Sequence, residues 1–139
     1  MLYHGKKDGM TASTFHSKCD NKGATITVFR SSSGKTFGGF LENSWATTEN
    51  YISCQKAFLY SCDKKKKFPL MGSNNQYAGY GSSSYGPTFG GGNDIYVQSN
   101  FANQSISPYK HTYDFNVNDL CGSSSFILQD VEIFSVGGK

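Results

Sequence analysis

The sequence predicts a mainly β fold: a two-sheet antiparallel β-sandwich with one or two short helices. Three observations carry this. Short β-prone runs recur at a spacing of roughly ten residues, joined by Gly, Ser and Asn turns. A glycine motif occurs twice, as Lys35-Thr36-Phe37-Gly38-Gly39-Phe40 and as Pro87-Thr88-Phe89-Gly90-Gly91-Gly92. Aromatic residues make up 15% of the chain, with 11 Phe and 9 Tyr, which supplies a core and excludes a disordered polypeptide. Consecutive glycines cost backbone entropy and persist where a Cβ would clash or where φ must be positive. Gly38, Gly39, Gly90 and Gly91 are therefore expected in buried strand bends, facing each other across one core.

In chain order, Leu2-Tyr3 ends a first strand and His4 to Gly9 is a polar turn. Thr11 or Ser13 caps a short helix over Thr14 to Cys19, with Phe15 and Cys19 on its inner face. Asp20 to Gly23 stops it. Thr25 to Arg30 alternates and is β-branched, which predicts a strand with Ile26 and Val28 inward. Ser31 to Gly34 turns the chain back into Thr36 to Leu41. Trp45, the one tryptophan, reads as a lid on the core. Thr47 to Gln55 reads as a polar loop. Ala57 to Cys62 is nearly continuously apolar and is expected centrally in a sheet. Lys67 to Leu70 returns from the Asp63–Lys67 loop, with Pro69 marking an edge. Gln76 to Tyr80 and Ile95 to Val97 are short strands, and Ser99 to Ser107 a loop. His111 to Phe115 is expected as a strand with Tyr113 and Phe115 inward. Asn116 to Ser124 is loop, and Phe126 to Leu128 and Val131 to Val136 close the fold.

A chain of 139 residues is one domain with one core, here residues 1–139. The net charge of +3 is mild, and without the run Lys64 to Lys67 the balance is about −1, so no general polyanion-binding surface is expected. No apolar run approaches the ~20 residues of a membrane helix. Met1 to Gly9 is polar and basic with no apolar segment behind it, which argues against a secretory leader and for a cytoplasmic protein. Cys19, Cys54, Cys62 and Cys121 form no C-x-x-C, so reduced thiols are expected; Cys54 and Cys62 have the one spacing that suits a hairpin disulfide.

The chain resembles the TLDc domain of the oxidation-resistance proteins. The matching pieces, in order, are Leu2-Tyr3, Asp8-Gly9, Phe15-His16 with Cys19, Gly23-x-Thr25, Phe37-Gly38-Gly39-Phe40, Ser44-Trp45, Ala57-Phe58-Leu59, Tyr85 through Gly92, Asp94 and Val131-Glu132-Ile133-Phe134. The resemblance implies a β-sandwich, no catalytic activity, a link to oxidative-stress protection, and binding of the vacuolar proton-pumping ATPase. Two departures stand out. Asn93 replaces a His frequent in this motif, and the sequence lacks the helical segment that usually precedes the position of Leu2.

Several residues invite a chemical reading beside a plainer one. His16 and Cys19, at i, i+3, could form a base and nucleophile reacting with peroxide, or could pack beneath the helix. No Asp or Asn is evidently placed to orient His16. Three His and four Cys without paired knuckles give no metal site, and no cofactor is expected. Gly90 to Gly92 lacks the helix and Gly-Lys-Ser/Thr of a phosphate loop. The lysine run reads as a mobile hairpin tip. Tyr and Asn in loops would suit a carbohydrate-binding sandwich if they formed exposed platforms. Glu132 is either exposed or half-buried with Arg30, Lys35 or a backbone N–H as partner. Asp94 either caps its own turn or offers a charge to a partner. Asp94 and Glu132 are accordingly the candidate binding residues of a non-catalytic protein-interaction domain, the reading placed ahead of the thiol enzyme and the carbohydrate binder.

Overall fold

A computed structural model describes residues 1–71, 74–91, 94–98, 104–106, 112–115, 119–120, 122, 124–136 of the chain. Two antiparallel sheets contain the strands. The first has the order β1 (Tyr3–His4), β12 (Leu128–Ser135), β2 (Thr25–Ser31), β3 (Thr36–Leu41), β5 (Phe58–Ser61), β6 (Lys66–Pro69). The second runs β11 (Ser125–Phe126), β10 (Gln104–Ile106), β9 (Ile95–Val97), β8 (Thr88–Phe89), β7 (Gly79–Gly81), β4 (Asn50–Ile52). Helical pieces are the single turn α1 (Gly5–Asp8), α2 (Ala12–Cys19) and a 3-10 turn at Asn74–Tyr77. The expected β-sandwich is the fold.

Thr11 starts α2 as its sequence implies: its hydroxyl accepts from the Thr14 N–H at 3.2 Å. Phe15 and Cys19 on the inner face are fully buried. Trp45 is buried too, edge-on to Phe15 at 5.3 Å and to Phe89 at 5.4 Å between ring centroids.

The two glycine motifs do meet across the core, but not as bends. β2 and β3 pair in unbroken register from Thr25↔Leu41 to Arg30↔Thr36, so Gly38 and Gly39 lie in a regular strand. Their small size serves close approach on both faces. Inward, a Cβ on Gly39 would stand 2.5 Å from Phe89 Cε2 of the opposite sheet. Outward, a Cβ on Gly38 would overlap the Thr27 carbonyl, to which the Tyr60 hydroxyl donates across the strand at 2.6 Å. Gly90 sits in the β8–β9 turn at φ +89°, and Gly91 beside it is half-buried. The strain-free left-handed turn, rather than a bulge, explains Gly90.

Other elements depart from expectation. Thr25, Thr27 and Phe29 of β2 face the core, so Ile26 and Val28 point outward, the reverse of the predicted face. The core takes the Phe29 ring, which tilts against Phe37 at 5.6 Å, and leaves the smaller aliphatics outside. β5 alternates and lies one strand from the edge, not centrally. The lysine run is split: Lys64 and Lys65 make the turn and Lys66 and Lys67 belong to β6. All four lysines are exposed as expected, but they are not without contacts: Lys64 pairs with Asp119 at 2.9 Å, and Lys67 lies over the Phe58 ring at 4.6 Å. Both β4 and β10 fall where loops were expected. Segment 112–115 is not a strand, although Tyr113 and Phe115 are buried as foreseen. His111, Cys121, Gly92 and Asn93 lie outside the described residues.

Gly39→Ala should lower stability by about 1–3 kcal/mol, because Phe89 is wedged among Phe29, Trp45 and Tyr113 and cannot swing aside. An unchanged denaturation midpoint would count against this close approach.

Candidate functional site

The residues with chemical potential are mostly spent on holding backbone. Asp94 is fully buried, not at the surface. Its Oδ2 accepts from the N–H groups of Thr112 at 3.0 Å and Tyr113 at 2.9 Å, and Thr112 Oγ1 accepts from Gly91 N at 2.8 Å. Asp94 thus caps the backbone of a distant segment. A carboxylate so enclosed cannot offer its charge to a partner, and its candidacy as a binding residue ends here. Any side chain at Gly90 would collide with it.

His16 does have an orienting acid: Nδ1 lies 2.7 Å from Asp20 Oδ1, one helical turn on. Asp20 serves both as the stop of α2 and as this acid, which corrects the expectation of no orienting residue. Nε2, however, points at two backbone carbonyls, Ser82 O at 2.8 Å and Tyr85 O at 2.9 Å. Carbonyls only accept, so Nε2 donates to them, and the ring is a clamp between α2 and the Ser82–Tyr85 loop. With Nε2 turned to these carbonyls and Nδ1 to Asp20, neither nitrogen faces a nucleophile. Cys19 is fully buried, and burial, followed by the nearby Asp20 charge, pushes its thiol up to about 12. The buried Cys19 thiol and the His16 ring, whose nitrogens are turned to other partners, therefore do not form a nucleophile–base pair.

Glu49 braces the same loop from outside and was not foreseen. Its carboxylate accepts from Ser82 Oγ at 2.7 Å and from Ser83 N and Oγ, each at 2.9 Å. These bonds, Ser82 first, hold its carboxyl below the ordinary value. Its own backbone has φ +58°, an uncommon conformation for a glutamate, which the sequence does not advertise.

Glu132 lies on the solvent side of β12, since its neighbours Val131 and Ile133 are the buried pair. It is nevertheless largely covered. Arg30 across the strand pair donates to Oε1 from Nη2 at 3.0 Å and from Nε at 3.3 Å. Arg30 was among the partners proposed from sequence. Cys54 is buried and Cys62 exposed, and both are free thiols with no bond between them. Among the described residues no group of three or more His, Cys, Asp or Glu is arranged to hold a metal ion. No helix among them is long and apolar enough to cross a membrane.

Two outcomes follow. Iodoacetamide at pH 8 should label Cys62 in the folded protein and leave Cys19 and Cys54 unlabelled until denaturant is added; equal labelling of Cys19 would revive thiol chemistry. The Glu49 contribution is present above its unfolded value and fades as pH falls through the lower folded value. The Ser83 amide should therefore lose protection against hydrogen exchange in acid, and Glu49→Gln should make that protection low at every pH.

Comparison with known proteins agrees with this geometry. Residues 1–137 match the family model of the TLDc domain. The chain is 23% identical over 145 residues to the MTOR-associated protein MEAK7 of Gallus gallus, an alignment covering 99% of this chain and 31% of that protein. It is 28% identical over 106 residues to oxidation resistance protein 1 of Schizosaccharomyces pombe, covering 68% of this chain and 55% of that protein. The chain thus spans about a third to a half of the length of these relatives. Sheet architecture, the two Phe-Gly-Gly motifs meeting across the core and the family match agree: the chain belongs to the TLDc domain family.

Proposed function

We propose that this chain is a non-catalytic protein-interaction domain that docks a partner on the outer face of its first sheet. The observation that carries this is an apolar row crossing five strands. Phe134 stands opposite Ile26, Ile26 opposite Phe40, Phe40 opposite Phe58, and Phe58 opposite Pro69. None of the five is fully buried. The Phe40 and Phe58 rings stack at 5.3 Å. Solvent-facing sheet surfaces are normally polar, and a contiguous apolar row is the mark of a contact surface. The neighbouring row bears the Arg30–Glu132 pair, which supplies a fixed charge pattern to orient a partner.

The family supports contact over chemistry. One relative is named for association with MTOR and another for oxidation resistance. We take the vacuolar proton-pumping ATPase as the first partner to test, in the cytoplasm, with protection against oxidative stress as the cellular role. The thiol-enzyme alternative is weakened by the buried Cys19.

Purified vacuolar ATPase should retain this chain in a surface-binding assay. Phe58→Asp should weaken binding at least tenfold with an unchanged melting profile. Glu132→Ala should cost about 1–3 kcal/mol of binding, because it uncouples Arg30 at the border. If Glu132→Ala instead melts the domain, the pair is structural and the border lies elsewhere. Peroxide turnover abolished by Cys19→Ser would replace the contact reading with an enzymatic one.

A further inference from the structure

The second sheet carries a different surface, built from tyrosine. Tyr51, Tyr80 and Tyr96 alternate with the buried residues Ile52, Gly79, Gly81, Ile95 and Val97, so their rings leave the outer side. Tyr85 joins them through its bridge to Gln98. The rings form one continuous series of neighbours: Tyr77 to Tyr51 at 5.0 Å, Tyr51 to Tyr80 at 5.0 Å, Tyr80 to Tyr85 at 5.3 Å and Tyr85 to Tyr96 at 4.9 Å between centroids.

Three features narrow the ligand. Successive rings are inclined at 79°, 58°, 51° and 82°, so they make ridges and slots and not a flat platform. A sugar stacks best on a ring presented flat, and this relief disfavours it. The hydroxyls of Tyr80, Tyr85 and Tyr96 make no hydrogen bond among the described residues, which leaves a file of donors. The sequence from Gly72 to Asn93 has no charged residue, and the ladder's charge is the exposed Glu49 carboxylate, kept ionised by Ser82 and Ser83. The loop bearing Tyr85 is held from both sides, by His16 within and Glu49 without, so the slots are preformed.

We propose that this ladder binds a proline-rich peptide in the polyproline II conformation, with a basic residue set against Glu49. Such a helix rises ~3.1 Å per residue, makes no internal hydrogen bonds and projects its carbonyls outward. Its proline rings fill slots between inclined aromatics, and tyrosine hydroxyls donate to its carbonyls. The file from Tyr51 to Tyr96, with ring steps near 5 Å, accommodates a segment of roughly five residues. The carboxylate fixes the direction in which the peptide lies, by attraction to an arginine or lysine at one end. This surface is on the sheet opposite to the apolar row, and its occupancy does not depend on that row.

The test is fluorescence anisotropy with a labelled decaproline carrying one N-terminal arginine. Saturable binding is expected, with none for a Gly-Ser peptide of equal length and charge. Tyr51→Ala and Tyr96→Ala, each checked for an unchanged melting profile, should weaken binding at least tenfold. Glu49→Gln should weaken the arginine peptide several-fold more than it weakens an arginine-free decaproline, the difference reporting the charge contact and the shared loss reporting the loosened loop. The proposal is overturned if decaproline does not bind, if the Gly-Ser peptide binds equally, or if both tyrosine variants bind as the wild type does. Ladder-dependent binding of a linear β-1,4-linked hexasaccharide without binding of decaproline would overturn it in favour of a carbohydrate site.

Discussion

The seating of the Phe89 ring on the bare backbone of Gly39 sets the spacing of the sandwich. Sheets packed face to face usually interdigitate side chains from both layers. Here one layer offers no side chain at the centre, and the other fills the space with a ring whose nearest atom would lie 2.5 Å from any Cβ there. Around this point the remaining rings find their places. Phe29 meets Phe89 edge-on at 6.3 Å, Trp45 at 5.4 Å and Tyr113 at 6.5 Å. Trp45 in turn holds Phe15, and so seats α2. A void or a bump at Gly39 would be felt along this whole chain of contacts, because cores are packed to crystal density.

The loops at one end of the second sheet obey a second constraint, that buried backbone polar groups must be paired. Asp94, His16 and Glu49 meet it. Each turns a titratable side chain toward backbone N–H or C=O groups: Asp94 toward 112–113, His16 toward Ser82 and Tyr85, Glu49 toward Ser83. The acid, base and carboxylate that a catalytic reading would recruit are thereby consumed. What these loops then display outward is aromatic surface.

The fold class, a two-sheet antiparallel sandwich, is legible in the sequence because turn residues and β-branched runs at regular spacing carry local physical demands. The Thr11 cap, the edge position of Pro69 and the buried Trp45 follow from single residues. What was illegible depends on tertiary context. β4 and β10 are three residues each, too short to show alternation, and they exist because neighbouring strands present open ladder groups. Asp94 reads locally as a turn residue, and the N–H groups it accepts from 18 and 19 positions away leave no local signal. Glu49 has no motif, since its partners are serine hydroxyls and an amide supplied by another loop. Of the two residues singled out for binding, Glu132 keeps a place at a surface through Arg30, whereas Asp94 does not.

The inverted face of β2 links these threads. Alternation says only that Ile26 and Val28 share one side and Thr25, Thr27 and Phe29 the other. When both sides hold apolar residues, the pattern does not say which is inside. Volume decides it: the Phe29 ring fills the space between the sheets that Phe37, Phe89 and Phe126 border, and two small aliphatics could not. Ile26 and Val28 are then left on the outer face beside Phe40, Phe58 and Phe134, half-covered by one another. A strand with apolar residues on both faces belongs in a sheet covered on both faces. This sheet has its second layer on one side, and the same sequence feature that misled the assignment of inside and outside is therefore a reason to expect a partner on the other.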